Sequence, residues 1–347
     1  MIDMVIDGRL IGPGHPPLVI AEIGINHEGS LETALSMARA AIDQGAEAIK
    51  LQTHVIDDEM SEEARSRIPG NATTSIYSIM KRCQLTEDEE RQVADLVRSR
   101  GRVFLSTPFS RKAVDRLDKL GVPAFKIGSG ECSNYPFVEY VARVGRPVIM
   151  STGMHTIAQI APSVEILRSA RIPFALLHTT NLYPTPDRLV RLRAMSELSE
   201  AFPEVIVGLS DHSDTIYPCL GAVALGASIL ERHFTDSKDR LGPDISSSMD
   251  PHELAELLEG SRRIHAALGG GKGPADDEAV TMRFALPSVV ALRDIRAGEV
   301  FTEDNIWVMR PAGGAYGPAD YRGLLGRRCA HDVAGGRQLP SSAVAEV

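Results

Sequence analysis

Residues 205–235 of this 347-residue chain read VIVGLSDHSDTIYPCLGAVALGASILERHFT. The stretch holds two short apolar runs, residues 205–209 and 228–231, with room for one helix between them. Each run is followed within a few residues by a histidine, His212 or His233, and the two histidines are 21 residues apart. In a chain that alternates strands and helices, this spacing corresponds to one βα unit. Both imidazoles are therefore predicted to emerge at the same end of one parallel sheet.

Similar apolar runs recur upstream, separated by segments with helical periodicity. The first of these segments has Ser30 as a predicted N-cap, apolar residues on one face, and Gly45 as a left-handed stop. The runs are continuously apolar, which is typical of parallel strands buried on both faces. They lie at residues 18–23, 48–52, 103–106, 124–127, 147–151, 174–178, 205–209 and 228–231. Eight such units predict an α/β fold of the (β/α)8 type, a TIM barrel.

The composition changes after a glycine-rich run at residues 269–273. We predict a catalytic barrel over residues 1–268 that includes a short N-terminal hairpin within residues 6–14, and a polar linker over residues 269–285. Short apolar pieces between turn residues then predict a small, β-rich domain over residues 286–347. The insertion at residues 54–77 is predicted to form a loop over the barrel mouth.

Charge and composition exclude several classes of protein. The net charge of −9 gives no sign of a nucleic-acid partner, and any anionic substrate would need a locally basic site. No apolar run approaches the roughly 20 residues needed to span a bilayer, so no membrane association is expected. The four cysteines have no C-x-x-C spacing and no secretory leader precedes them, which predicts reduced thiols in a cytoplasmic protein.

Polar residues lie at the ends of all eight runs or just after them, and in a TIM barrel these positions line the mouth that carries the chemistry. A single polar strand end is ordinary solvation, but the strand starts show no comparable set. The polar residues are Glu22, Asn26, His27, Lys50, Gln52, His54, Thr107, Lys126, Ser129, Glu131, Ser151, Thr152, Thr179, Asn181, Tyr183, Ser210, Asp211, His212, Glu231 and His233.

Two lysines and several hydroxyl groups in this set suit a phosphorylated substrate. Lys50 and Lys126 offer positive charge, and neighbouring hydroxyls can donate hydrogen bonds to phosphoryl oxygens. The hydroxyls are those of Thr107, Ser129, Ser151 and Ser210, with Gly128 and Gly130 permitting close backbone approach. The alternatives are that each lysine pairs with Glu22 or Glu131, and that the hydroxyls cap the following helices.

Spacing alone favours a pair of hydrogen-bonded core imidazoles for the two histidines, but the residues around them favour a divalent metal. Two neutral imidazoles with Asp211, Asp244 or Glu22 nearby would fit hexacoordinate Mn²⁺ or Mg²⁺ completed by water and substrate oxygens. A structural zinc site would need four protein ligands, and no cysteine is placed to complete one.

Ten ordered motifs resemble those of the bacterial sialic acid synthases, the N-acetylneuraminate synthase family. They are AEIGINHEG (21–29), IKLQTH (49–54), IPGN (68–71), STPF (106–109), FKIGSGE (125–131), STGM (151–154), TNLYPTP (180–186), GLSDH (208–212), ERHFT (231–235) and GPD (242–244). The C-terminal segment is similar to the antifreeze-like (SAF) domain of that family. The resemblance implies a domain-swapped homodimer in which the small domain of one chain covers the barrel of the other.

The resemblance also implies a reaction and the roles of individual residues. Phosphoenolpyruvate would join the open-chain aldehyde of N-acetylmannosamine to give N-acetylneuraminate and phosphate, with Mn²⁺ or Mg²⁺ required. The metal would be held by His212 and His233, and phosphoenolpyruvate by Lys50, Thr107, Lys126, Ser129, Ser151, Asn181 and Ser210. The sugar would be bound by Gln52, Asn71, Tyr183 and Asp244, with Arg310 reaching its N-acetyl group across the dimer. Glu22 and Glu131 would serve the sugar or the attacking water, and Glu22 is our first choice for the water.

Three alternatives remain open at this point. Legionaminate and pseudaminate synthases use diacetamido hexoses, although residues 68–71 and 246–249 look more like the N-acetylneuraminate enzymes. A Schiff-base aldolase would form an imine on Lys50 or Lys126. A carbohydrate-binding or ice-binding protein would use the C-terminal module and leave the barrel without a catalytic role.

Overall fold

Eight parallel strands arranged in a barrel make up the first of two structural units. The computed structural model describes residues 3–68 and 73–345 of the chain. The first unit covers residues 1–269 and the second covers residues 270–347.

The barrel strands are β3 (Leu18–Gly24), β4 (Ala48–Thr53), β5 (Val103–Pro108), β6 (Phe125–Ile127), β7 (Val148–Ser151), β8 (Phe174–Thr179), β9 (Ile206–Asp211) and β10 (Ile229–His233). They run in the order β5-β4-β3-β10-β9-β8-β7-β6, and every ladder between them is parallel. Strands β5 and β6 lie side by side and nearly close the barrel. The predicted barrel is therefore confirmed. Because β9 and β10 run slightly beyond the apolar runs, His212 directly follows β9 and His233 is the last residue of β10.

Helices connect the barrel strands. They are α1 (Leu31–Asp43), α2 (Ile56–Glu59), α3 (Ile76–Cys83), α4 (Glu87–Ser99), α5 (Arg111–Leu120), α6 (Tyr135–Ala142), α7 (Ile157–Ser169), α8 (Asp187–Val190), α9 (Ala194–Ala201), α10 (Tyr217–Ala224) and α11 (Pro251–Ala267). The start and stop predicted for the first helix are present. The Ser30 hydroxyl accepts a hydrogen bond from the Thr33 amide at 3.2 Å, and Gly45 has a φ of +96°. The insertion at residues 54–77 contains α2 and a 3₁₀ turn, Glu62–Arg65.

The part of the barrel interior that lies at the N-terminal ends of the strands is apolar. An antiparallel hairpin, β1 (Met4–Ile6) and β2 (Arg9–Ile11), contributes Met4, Ile6 and Ile11 to this core. The strands, together with Ala124 just before β6, contribute Leu18, Ile20, Ala48, Val103, Leu105, Ile149, Ala175, Leu177, Ile206 and Ile229. Since apolar side chains fill this part, the polar residues are concentrated at the carboxyl ends of the strands.

The second unit is small and has little regular structure. Helix α12 (Ala279–Ala285) lies within the segment that we expected to be a linker, residues 269–285. An antiparallel pair, β11 (Ser288–Ala291) and β12 (Ile306–Met309), follows, with a short helix α13 (Tyr321–Leu324) and several isolated β-bridges. Its core includes Val289, Phe301, Ile306 and Leu339. No helix in the described part of the chain is long and apolar enough to cross a membrane.

Candidate active site

A cavity of about 140 Å³ opens at the carboxyl ends of the barrel strands. It brings together most of the residues that the sequence marked for substrate or metal. Those that line it are Glu22, Lys50, Gln52, Thr107, Lys126, Ser129, Ser151, Asn181, Tyr183, Ser210, His212 and His233.

The four cysteines of the chain are buried and free; they are Cys83, Cys132, Cys219 and Cys329.

Strand geometry explains why these side chains converge. Side chains two positions apart on a strand point to the same face, so Lys50 and Gln52 share the inner face of β4. The parallel register then places Glu22 beside both Lys50 and His233 on the two neighbouring strands. Ser210 is likewise the register partner of Glu231, which lies two positions before His233.

Glu231 lies within 4 Å of both lysines of the cavity. Its carboxylate lies 3.1 Å from Lys126 Nζ and 3.8 Å from Lys50 Nζ, and it accepts a hydrogen bond from the Ser210 hydroxyl at 3.0 Å. Lys50 Nζ is also 2.6 Å from Glu22. All four charged side chains are buried. The sequence predicted no role for Glu231, although its position two residues before His233 was a signal that both share one face.

Burial and neighbouring charge shift the pKa values of Glu22 and Glu231 in opposite directions. Burial raises the pKa of Glu22 to about 7, against the opposing attraction of Lys50. For Glu231, the two ammonium groups outweigh the effect of burial and lower the pKa to about 2. Burial also lowers the pKa of Lys126. Glu231 therefore stays ionised, whereas Glu22 can hold or release a proton near neutral pH.

The cavity is less basic than the sequence suggested. Lys50 pairs with Glu22, which is one of the pairings considered from the sequence. Lys126 pairs with Glu231 and not with Glu131. Because Glu231 cancels one ammonium charge, an excess of positive charge exists only when Glu22 is protonated. Recognition of an anion must therefore rely on hydrogen-bond donors as well as on charge.

Hydroxyl groups supply such donors. Thr107 Oγ1 accepts a hydrogen bond from Lys50 and Ser151 Oγ accepts one from Lys126, each at 2.8 Å. Ser129 Oγ accepts one from the Gly153 amide at 3.1 Å. Because each hydroxyl is already an acceptor, its own proton can be donated to a bound anion.

His212 and His233 lie at the carboxyl ends of the neighbouring strands β9 and β10. Their ring centroids are 5.4 Å apart, and burial lowers the pKa of both, which favours neutral rings with free lone pairs. His212 Nδ1 lies 2.9 Å from the Thr180 carbonyl oxygen. When Nδ1 carries the proton and donates it to this carbonyl, the lone pair of Nε2 is free for a metal. His233 Nδ1 is buried with no hydrogen-bond partner among the described residues. A Cβ at Gly24 would come within 3.2 Å of the His233 ring, so glycine keeps this space open.

These residues fit a metal bound by two imidazoles with several open positions. Within residues 3–68 and 73–345, no group of three or more histidine, cysteine or carboxylate side chains is arranged to hold a metal. Of the carboxylates considered from the sequence, Asp211 is directed at Arg232 and Glu22 at Lys50. Asp244 lies 3.8 Å from His233 Nδ1, and burial raises its pKa to about 6. Water and substrate oxygens would have to complete the coordination.

Two further predicted site residues of the first unit, Glu131 and Asp244, do not line the cavity. Glu131 is half-buried, accepts a hydrogen bond from Asn134 at 2.5 Å, and lines a separate cavity of about 360 Å³. Asn71 lies outside the described residues. Arg310 is exposed on the second unit.

A buried histidine near the start of α1 gives a prediction about stability. Burial, with a smaller effect of His54, lowers the pKa of His27 to about 4, below its ordinary value of 6.5. Its Nδ1 accepts a hydrogen bond from the Gly29 amide at 3.1 Å. Between pH 6.5 and pH 4 the unfolded chain takes up a proton here that the folded chain does not. The free energy of unfolding should therefore fall by about 3 kcal/mol from this residue as the pH drops through that window.

The substitution His27→Asn keeps an acceptor near Nδ1 and removes the titration. Urea unfolding of both proteins at pH 7 and pH 4.5 should show a smaller acid-induced loss in the variant. The exposed His252, replaced in the same way, should keep the wild-type pH dependence. Equal pH dependence in His27→Asn and wild type would show that the buried ring does not resist protonation.

The chain is similar to a family of known enzymes. The NeuB family profile matches residues 37–273 and the SAF domain profile matches residues 287–345. The N,N'-diacetyllegionaminic acid synthase of Campylobacter jejuni is 36% identical over 305 residues, which cover 86% of this chain and 91% of that protein. Human N-acetylneuraminate-9-phosphate synthase is 34% identical over 325 residues, covering 92% and 90%.

Among solved structures, the N-acetylneuraminic acid synthetase of Leptospira borgpetersenii in complex with citrate is similar in fold. It aligns with a TM-score of 0.74 at 31% identity, over 81% of this chain and 95% of that one. The chain therefore belongs to the NeuB family and carries a SAF domain after its barrel. The resemblance to the sialic acid synthase family is confirmed, and the chain is an enzyme of the synthase class.

Proposed function

We propose that the chain condenses phosphoenolpyruvate with the open-chain form of N-acetylmannosamine, giving N-acetylneuraminate and phosphate. The observation that carries the proposal is one small buried cavity in which two ammonium groups and several hydroxyls lie beside a pair of neutral histidines. The ammonium and hydroxyl groups suit a phosphorylated acid, and the histidines suit a metal that binds the other substrate.

Lys50 and Lys126 would bind phosphoenolpyruvate through charge, and the hydroxyls of Thr107, Ser129 and Ser151 would donate hydrogen bonds to its oxygens. Phosphoenolpyruvate would take the inner part of the cavity, beside the buried ammonium groups. The sugar would therefore lie nearer to solvent, where Gln52 and Tyr183 border the cavity. Asn71 and Asp244 are proposed to bind it too.

The proposed metal is Mn²⁺ or Mg²⁺, held by His212 and His233. When bound, it would supply Lewis-acid polarisation of the sugar aldehyde oxygen. Around it, the chain's residues would orient the two substrates so that C3 of phosphoenolpyruvate can attack the aldehyde carbon. The ring of Tyr183, 4.2 Å from that of His212, would limit the positions that the aldehyde can adopt.

Glu22 is proposed to activate the water that completes the reaction. Attack by C3 leaves positive charge at C2, and Glu22 would remove a proton from water as it adds there. A pKa of about 7 suits this role, since the carboxylate is partly available and its conjugate acid is stable in the cavity. Expulsion of phosphate follows, with Lys50 and Lys126 offsetting the charge of the leaving group. No covalent bond to the enzyme is needed.

A Schiff-base aldolase would need a neutral lysine. Lys50 Nζ lies 2.6 Å from a Glu22 oxygen and Lys126 Nζ lies 3.1 Å from a Glu231 oxygen, so either amine would have to leave an ion pair before it could attack pyruvate. We therefore expect no trapping of the enzyme by borohydride in the presence of pyruvate, and loss of turnover with a chelator.

The test of the proposal is phosphate release. Release should require phosphoenolpyruvate, an acceptor sugar and a divalent cation together, and no release with any sugar would reject the synthase assignment. Identities of 36% and 34% to relatives named for different products do not select the sugar. A competition among N-acetylmannosamine, its 6-phosphate and diacetamido hexoses, with products identified by mass, would select it. We expect the product of unphosphorylated N-acetylmannosamine to dominate.

We also propose a homodimer in which Arg310 of one chain binds the N-acetyl group in the barrel of its partner. Arg310→Ala should then raise the sugar KM by about 10-fold or more, since a charge-assisted hydrogen bond is lost, while the KM for phosphoenolpyruvate changes little. Arg322→Ala, at another exposed arginine of the same unit, is the matched control. Unchanged sugar KM and kcat in Arg310→Ala would contradict this role.

Mixing variants tests the exchange of domains directly. If Arg310→Ala and Glu22→Gln chains are mixed and allowed to re-associate, each heterodimer has one site with neither change. With the sugar well below the wild-type KM, both parent variants are nearly inactive. Activity should then rise to about a quarter of the wild-type value, because half of the dimers are mixed and one of their two sites is intact. No gain on mixing would indicate that each site is built from a single chain.

A further inference from the structure

We propose that Arg232 is a positioning residue that fixes the geometry of His212 and His233 and so determines the affinity of the site for its divalent metal. The inference rests on the proposed function, in which these histidines hold the metal. Arg232 does not line the cavity, and the sequence predicted no role for it.

Arg232 lies between two cavity residues on β10 but on the opposite face of the strand. Glu231 and His233 line the cavity, so the alternation of side chains places Arg232 on the other face of β10. Its side chain is fully buried there, and it pairs with Asp211, its register partner on β9. The guanidinium contacts an Asp211 carboxylate oxygen, and it donates to Ser213 Oγ at 3.0 Å and to the Ser213 carbonyl at 2.7 Å.

These contacts hold both neighbours of one metal-binding histidine. Asp211 precedes His212 and Ser213 follows it. Asp211 also accepts hydrogen bonds from the Ser213 amide at 3.1 Å and the Ser213 hydroxyl at 2.7 Å, which closes the segment on itself. The guanidinium thus fixes the backbone on both sides of His212, while its own backbone continues directly into His233. One side chain links the positions of both imidazoles.

Stability does not explain this arrangement. A buried ion pair is expensive to desolvate, and replacement by apolar residues of similar volume is often neutral or stabilising. A rigid link between two metal ligands acts on metal affinity instead. Groups that orient metal-binding side chains typically alter that affinity by about 10- to 100-fold. The placement of Arg232 fits that second role.

The experiment measures Mn²⁺ binding to the chelator-treated full-length protein, using the electron paramagnetic resonance signal of free Mn²⁺. Arg232→Met should weaken Mn²⁺ binding by about 10- to 100-fold, and Arg232→Lys by less. The visible spectrum of bound Co²⁺ should also change, because the ligand geometry differs. The matched control is Arg116→Met, which removes another largely buried arginine, 3.6 Å from Glu90, and should leave both readouts unchanged.

A second variant separates positioning from folding. The double substitution Asp211→Leu with Arg232→Met leaves no unpaired buried charge, so it should recover much of the thermal stability lost in Arg232→Met. Its Mn²⁺ affinity should stay low. Recovery of affinity together with stability, or wild-type affinity and Co²⁺ spectrum in Arg232→Met, would overturn the inference. If wild-type protein binds no Mn²⁺, the metal role in the proposed function fails and this inference fails with it; unchanged binding in Arg232→Met rejects the inference alone.

Discussion

Replacement of His233 by glutamine should lower turnover by about 1000-fold or more and abolish Mn²⁺ binding, while the protein stays folded. The reason is that the imidazole supplies one of the two protein ligands in the proposed site. Loss of Lewis-acid polarisation at the aldehyde raises the barrier by several kcal/mol, and each 1.4 kcal/mol is a factor of ten in rate. The measurement is phosphate release at saturating phosphoenolpyruvate, sugar and Mn²⁺.

Another buried histidine provides the matched control. His178 lies on β8, and its Nε2 is 2.7 Å from the Val190 carbonyl. His178→Gln should cost stability but keep turnover that is lost with a chelator and restored by Mn²⁺. Turnover that survives both chelation of the wild-type protein and the His233→Gln substitution would reject the metal assignment.

The sequence predicted those features of the site that follow from local pattern. Continuous apolar runs located the eight strands, because strands buried on both faces lack polar positions until they reach the mouth. The position of polar residues at the ends of these runs then placed Lys50, Gln52, Ser210 and His212 at the barrel mouth. The contact of Glu22 with Lys50 follows too, since β3 and β4 are consecutive and adjacent in the sheet.

Contacts across the barrel interior could not be predicted in this way. Lys126 on β6 meets Glu231 on β10, and these strands are not neighbours in the sheet, so no register relates the two residues. Strand alternation also fails once a strand has ended. A 3₁₀ turn, Ser129–Glu131, follows β6, so Ser129 stays in the cavity while Glu131 does not line it. Pairing and burial, which set the pKa of Glu22, depend on such distant contacts.

The substitution Glu22→Gln should lower kcat by about 100- to 10,000-fold, the usual contribution of a positioned general base, with little change in the KM for phosphoenolpyruvate. Glutamine has the same size and still offers an oxygen to Lys50, so the charge of the lysine remains partly satisfied. What is lost is the capacity to take a proton from water as it adds to C2. Steady-state kinetics of phosphate release would measure the effect, and Mn²⁺ binding should be retained.

The matched comparison is Glu131→Gln, because Glu131 is the other carboxylate that the sequence offered for this step. It lies outside the cavity and bonds to Asn134, so its loss should affect the KM for the sugar more than kcat. If Glu131→Gln reduces kcat more than Glu22→Gln does, the water must be activated from the sugar side of the mouth. In that case the protonation of Glu22 would serve only to adjust the charge around Lys50. A kcat loss confined to Glu22→Gln identifies the carboxyl with a pKa of about 7 as the base.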